Sequence, residues 1–282
     1  AARAVVVATN VPFHESVPIH TKQAAYRTFV LATPIDAASF PDILLWDTAD
    51  PYHYLRRLQD PGEGTTWLIV GGSDHKTGQP TSVAPYAELA AWARDRVGGC
   101  RGIEWRWSGQ VIEPVDGLAF IGADAGGAEN VYVVTGDSGN GLTHGTIAAS
   151  VIPSLIAGRG DPYEGLYDPR RSPLRGLSTW LGENANVAAQ YRDWLASSGI
   201  RPLAPDDATI VRSGVHRIAV YRSADGALRA FSAQCPHLGC SVRWNAIERS
   251  WDCPCHGSRF DPVDGHVING PAATALTPVG GA

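Results

Sequence analysis

The chain has 282 residues, 44% hydrophobic and 18% charged, with a formal net charge of -5. That is enough chain for one large or two ordinary domains with a normal core. The absence of a basic block argues against nucleic acid or an anionic membrane as partner. The longest apolar run, near Ala148 to Ala157, is interrupted by Ser150, Pro153 and Ser154 and is too short to span a bilayer. The N-terminus shows no basic leader or cleavage site, so a cytoplasmic chain is expected.

Ala4 to Ala8 is a continuous apolar run stopped by Thr9-Asn10-Val11-Pro12, and it predicts a buried strand inside a sheet. Further strands are expected at Tyr26 to Ala32, Ile43 to Trp46, Trp67 to Gly71 and Ile103 to Trp107, each rich in β-branched or aromatic residues and bounded by turn formers. Ala84 to Val97 predicts a helix with Leu89, Trp92, Ala93 and Val97 on one face, Ser82 as cap and Gly98-Gly99 as stop. Cys100, outside any His or carboxylate motif, is expected to act as a small buried hydrophobe. Val131 to Thr135 is a strand, Gly136 to Gly141 a glycine-rich turn, and Leu142 to Gly158 a helix. This arrangement aims backbone N–H groups and a helix N-terminus at whatever sits above the turn, although tight turns also use glycine only for positive φ. The fingerprint G-x-G-x-x-G occurs nowhere in the chain.

A stretch rich in Pro and Arg, Asp161 to Pro173, ends this part. A connecting helix is expected over Asn186 to Ala196, with Val187, Tyr191, Trp194 and Leu195 on one face and Gly199 closing it. From Arg201 the pattern becomes short strands: Thr209 to Arg212, His216 to Tyr221, Leu228 to Ser232, Ser241 to Trp244 and Ile247 to Trp251. Ser223 to Gly226 makes the first hairpin turn. The expected division is 1–172, a linker over 173–200, and 201–282.

Four of the five cysteines cluster in the last part. Cys235 stands beside His237 and Cys253 beside His256, leaving Cys240 and Cys255 as a second pair. A mononuclear zinc finger usually groups its cysteines on one knuckle and its histidines on a helix. Two mixed loops suit a two-iron centre better, with thiolates on one iron and neutral imidazoles on the other. The alternative is a structural zinc site.

Cys-x-His, fifteen residues, then Cys-x-x-His resembles the Rieske 2Fe-2S signature. The resemblance implies that Cys235 and Cys253 hold the inner iron, and His237 and His256 the outer, more exposed one. Cys240 and Cys255 resemble the disulfide of the cytochrome bc subgroup, and Ser258 its serine donor to a cluster sulfur. Phe260 departs from the tyrosine common there, and losing that donor implies a lower potential. Gly270-Pro271-Ala272 resembles the proline loop over the cluster. Respiratory Rieske subunits carry a transmembrane helix ahead of this domain; no such anchor is visible here, and none is expected.

Trp107 to Gln110, Pro114 to Gly122 and Gly136 to Gly145 resemble the C-terminal half of FAD-dependent amine and amino acid oxidoreductases of the D-amino acid oxidase superfamily. The resemblance covers roughly the first 170 residues. It implies an α+β chain in which the C-terminal half of a flavin oxidoreductase fold, a mixed sheet with helices, precedes a small antiparallel β Rieske domain. It also implies that Gly136, Ser138, Gly139, Asn140, Gly141 and Leu142 lie against the flavin. Tyr26, His53, Tyr54, His75 and Trp105 fall in segments that match the substrate-covering sheet, with no catalytic residue assigned. The ADP-gripping βαβ half would precede residue 1, so FAD is expected to bind only with that N-terminal half. The function expected is oxidation of a small amine or amino acid, with electrons relayed through the cluster to an acceptor protein or quinone. The competing expectation is a non-catalytic Rieske electron carrier.

Overall fold

The computed structural model describes residues 2–14, 17–62, 64–80, 84–195 and 201–280. In chain order these form β1 (Val5–Val7), α1 (Val17–His20), β2 (Gln23–Pro34), β3 (Leu44–Trp46), β4 (Tyr54–Gln59), β5 (Thr66–Lys76) and α2 (Pro85–Arg96). Next come β6 (Trp105–Pro114), β7 (Phe120–Ala123), β8 (Val131–Thr135), α3 (Gly141–Ile156), α4 (Glu164–Tyr167) and α5 (Leu177–Gln190). The last are β9 (Asp207–Ser213), β10 (His216–Arg222), β11 (Leu228–Ser232), β12 (Arg243–Asn245), β13 (Ser250–Asp252), β14 (Arg259–Phe260) and β15 (Val267–Asn269). The chain divides into two units, residues 1–25 with 111–282, and residues 26–110. No helix among the described residues is long and apolar enough to cross a membrane.

The unit of residues 26–110 is built on a sheet of order β3-β4-β5-β2-β6. Alternate residues of its strands, Phe29, Leu31, Leu55, Leu68 and Val70, are buried against Leu89, Ala90, Ala93 and Val97 of α2 and its end. The period of 2 in the strands meets the helical period of α2, which is why both elements were legible. Trp92 of that helix stacks on His53, ring centroids 4.3 Å apart. Pro85 opens α2, and the expected cap Ser82 lies outside the described residues. Cys100 packs half-buried beside this core, and burial pushes its thiol up. The opposite residues Leu58, Trp67, Ile69, Trp105 and Trp107 line an open hollow. Close approach fixes one glycine here: a Cβ on Gly71 would stand 1.9 Å from the Tyr54 ring.

The other unit holds three sheets. In the first, of order β1-β8-β7, β1 pairs parallel and β7 antiparallel with β8. The expected buried strand is therefore corrected: β1 lies at the edge of this sheet, with Val5 51% and Val6 45% exposed and only Val7 buried. Ala148, Val151 and Ile152 of α3 cover one face against Ala119 and Ile121. Val7, Ile19, Phe120 and Val133 form a smaller cluster. The C-terminal part consists of two antiparallel sheets, β11-β10-β9 and β12-β13-β14-β15. They enclose a core containing the fully buried Trp251 and Phe260 and all four clustered cysteines.

Several expected bounds shift. The connecting helix starts at Leu177, nine residues earlier than expected, and tightens to a 3-10 turn over Tyr191–Leu195; Ala196 and Gly199 lie outside the described residues. The early start is missed because α5 buries no residue completely and so shows a weak apolar stripe. Ile247 falls in a turn, with β13 beginning at Ser250, because Asn245 accepts from the N–H groups of Ile247 and Glu248.

Candidate metal centre and flavin turn

The two cysteine loops share one backbone design. In the first, Cys235 N–H donates to Cys240 O at 2.8 Å and Gly239 N–H to Cys235 O at 2.9 Å. In the second, Cys253 N–H donates to Ser258 O at 2.7 Å and Gly257 N–H to Cys253 O at 3.0 Å. Gly239 and Gly257 occupy the same place in each loop, with φ of 77° and 81°, a left-handed conformation that a side chain disfavours. Each loop thus offers its first cysteine inward and its histidine two or three residues later.

The Cys235 and Cys253 thiols are both 1% exposed and hydrogen-bonded to each other. The bond from Cys253 holds Cys235 below the ordinary thiol range; the same bond, burial and the neighbouring thiolate push Cys253 up. The His237 and His256 rings stand 4.9 Å apart and nearly perpendicular. Burial lowers His237, and burial followed by His237 brings His256 down to about 4, so both imidazoles are neutral at pH 7. His237 Nδ1 is buried with no hydrogen-bond partner. An orphaned buried nitrogen carries a desolvation cost of about 1–3 kcal/mol, and a metal bond relieves it. Two adjacent thiols and two neutral imidazoles fit a two-iron cluster, since ligands bind deprotonated.

The surrounding shell is bonded as well. A disulfide joins Cys240 to Cys255 and ties the two loops together. Ser258 accepts from Ala272 N–H at 2.9 Å and hydrogen-bonds to Cys235, bringing Gly270 to Ala272 against the site. Phe260 is fully buried and has no group to donate.

Two contributions to this site escaped sequence reading. Tyr191 Oη donates to Leu238 O at 2.6 Å and Trp194 Nε1 to Gly239 O at 3.1 Å, while Asp193 pairs with Arg243 at 2.7 Å. The residues predicted as an apolar helix face therefore strap the first loop through their polar tips. His20 of α1 places its ring 4.8 Å from that of His237 and 6.1 Å from that of His256. Burial, then the two neighbouring imidazoles and His14, bring His20 down to about 3. No local signal marks His20, because its partners are more than 200 residues away.

The glycine-rich turn leads from β8 into the first turn of α3, where Gly141, Leu142 and Thr143 are exposed. Ser138 has φ of 48°; its N–H donates to Ile112 O and its hydroxyl to Glu113. Asn140 Nδ2 donates to Ser138 O at 2.9 Å. Leu142 is 93% exposed. Gly136 fits between Pro114 and Phe120, and Gly139 has φ of 74° with open space beside it. The carboxylate of Asp137 lies beside the helix start, 2.8 Å from where a Gly141 Cβ would stand.

Asp116, in the segment after β6, is a structural clamp. Its carboxylate takes a bidentate ion pair from Arg171, both contacts at 2.7 Å, and the guanidinium lies over the Phe120 ring at 3.9 Å. In the other unit His75 stacks on Phe29 and His53 pairs with Asp47 at 2.9 Å, so both histidines are engaged in packing. Tyr26 lies under the Lys76 ammonium, and Trp105 is 63% exposed.

The family described as FAD dependent oxidoreductase matches residues 1–154, more than half of the chain, and the chain belongs to that family. The Rieske 2Fe-2S domain matches residues 193–279. The first family implies FAD and the second a 2Fe-2S cluster. YhfW of Bacillus subtilis (strain 168), provisionally named a Rieske 2Fe-2S iron-sulfur protein, is 30% identical over 280 residues, 98% of this chain and 54% of its own. Iron-sulfur subunit 1 of the Cyanophora paradoxa cytochrome b6-f complex is 33% identical over 144 residues, 50% of this chain and 58% of its own. Glycine oxidase from Geobacillus kaustophilus aligns with 61% of this chain and 46% of its own at 17% identity, with a TM-score of 0.48. The chain spans about half the length of the curated relatives it matches.

Proposed function

We propose that this chain works in an oxidoreductase in which a small amine or amino acid is oxidised at a C–N bond and electrons leave through a Rieske cluster. The observation that carries the electron-transfer half is the pair of matching loops holding two buried thiols and two neutral imidazoles, one with an orphaned nitrogen. Cys235 and Cys253 would hold one iron, and His237 and His256 the other. The Cys240–Cys255 bridge, Ser258 and the likeness to cytochrome b6-f iron-sulfur subunits support a cytochrome bc-like cluster domain. When bound, FAD supplies two-electron oxidation and the cluster accepts electrons singly. The chain's own residues bind and orient: Gly136, Ser138, Gly139, Asn140, Gly141 and Leu142 would form one wall for the flavin, and the strapped loops exclude water from the thiolates.

The oxidoreductase part would span 1–172, the linker 173–200 and the cluster domain 201–282, with the first part forming the C-terminal half of a flavin domain. The acceptor would be a protein or a quinone. A second reading, an electron carrier with no catalysis, is favoured by the exposure of the flavin turn. Metal and sulfide analysis of the purified chain, followed by addition of amines to the chain loaded with FAD in the presence of a dinucleotide-binding half, tests both. Two irons and two sulfides with flavin bleaching support the enzyme. One zinc without sulfide overturns the cluster, and an intact cluster without bleaching by any amine leaves the carrier.

A further inference from the structure

His20 is 5% exposed, although an imidazole is ordinarily accommodated at a surface. Its ring edge meets the rings of both His237 and His256. The segment that carries it is held from several directions. Ile19 is fully buried in the cluster with Phe120 and Val133. Thr21 O accepts from Asn184 Nδ2 at 2.9 Å, and Lys22 Nζ donates to Pro169 O at 3.1 Å and Arg171 O at 2.8 Å. Lys22 O accepts from Val115 N–H at 2.9 Å. Asn184 belongs to α5, the helix that continues into the strap on the first cysteine loop.

From these contacts we infer that His20 is a plug: the oxidoreductase part of the chain packs over the imidazole face of the cluster site and leaves His237 and His256 only partly exposed, so that no separate partner protein docks on that face. The sequence reading expected the histidine side to be the more exposed. Here a residue of the other family's segment, within residues 1–154, covers it. Electrons that cross this face therefore come from within the assembled chain, and an external acceptor must approach elsewhere. His20 acts through the ligand side chains by packing and exclusion of water, which makes it a positioning residue. Shielding of the ligands from solvent lowers a cluster potential, because water stabilises the more negative reduced state. The inference rests on the assignment of His237 and His256 as ligands.

The test uses the full chain with its cluster, as wild type, His20→Ala and His20→Phe. Two quantities are read: the midpoint potential, and acylation of individual histidines by diethyl pyrocarbonate mapped by mass spectrometry, with exposed His216 as internal reference. In wild type, His237 and His256 react much more slowly than His216. His20→Ala removes that protection and shifts the potential upward, and His20→Phe, which refills the space with another flat ring, restores both. If His20→Ala does not fold, protection in His20→Phe supports the plug, and its loss there overturns it. Wild-type His237 and His256 reacting as fast as His216, or unchanged potential and protection in His20→Ala, overturn the plug alone. A wild type without a 2Fe-2S spectrum overturns the ligand assignment and the plug with it.

Discussion

At Phe260 the fully buried ring sits in the core that contains the cluster cysteines, and a hydroxyl at its edge would supply a donor that this shell lacks. Phe260→Tyr is expected to raise the midpoint potential, since donors to the sulfurs favour the reduced cluster. A redox titration showing no rise would mean that solvent access governs instead. Arg259 next to it is 5% exposed and meets Asp252 at 3.0 Å, Glu248 at 2.9 Å and Ser250 Oγ at 2.8 Å. Asp252 is itself 1% exposed, so truncating Arg259 leaves a buried carboxylate with only the neutral donors Asn245 and Ser250 and no opposite charge. Arg259→Met is expected to cost roughly 3–5 kcal/mol, read by denaturant unfolding of the cluster-loaded protein. Replacing both members by apolar residues should cost less than the single change. Phe260 was singled out from the sequence, but the Arg259 pairing was not: Arg259 reads as a surface residue until β13, β14 and β15 surround it.

Between elements, the Asp116–Arg171 clamp joins the turn before β7 to the segment after α4. Burial alone would raise the Asp116 carboxyl, but the Arg171 hydrogen bonds and charge outweigh it and hold it below its ordinary value. A depressed folded value means that this carboxylate adds stability above about pH 4 and loses that contribution as pH falls through the folded value. Asp116→Asn is therefore expected to be less stable at pH 7 and to flatten the acid limb of stability against pH. An unchanged limb would assign the clamp no role. In the cluster domain, the bridge between Cys240 and Cys255 leaves Cys100, Cys235 and Cys253 as free thiols. Thiol titration of unfolded, unreduced, cluster-free protein is expected to find three groups; five would exclude the bridge. A loop of this size contributes about 3 kcal/mol in the chain-entropy account. The sequence reading of these elements succeeded where periodicity was strong, as in α2 and in β8 with α3. It failed for β14 and β15, two and three residues long, which exist because neighbouring strands pair with them.

For the molecule as a whole, the turn from Gly136 to Leu142 would supply only one wall of the proposed flavin site. A helix N-terminus contributes at most ~2 kcal/mol toward an anion. Micromolar binding requires about 8 kcal/mol. Residues 1–282 purified alone are expected to carry the iron–sulfur cluster and no flavin, and to gain FAD when a dinucleotide-binding half is supplied. Stoichiometric FAD released by heat from the isolated chain would refute this. The sequence by itself marked out the two Cys/His loops, because cysteine and histidine at fixed short spacing suggest a ligand set without reference to the rest of the chain, and the fold brings those loops together. It likewise determined the strand, glycine turn and helix of Val131 to Ile156, whose periods and φ requirements are local. Only the tertiary structure decided that His20 covers His237 and His256, that Tyr191 and Trp194 strap the first loop, and that Asp116 is held by Arg171. Those contacts join residues 45 to 236 positions apart, and their energy comes from burial and pairing in the folded chain, which leave no periodic trace along it.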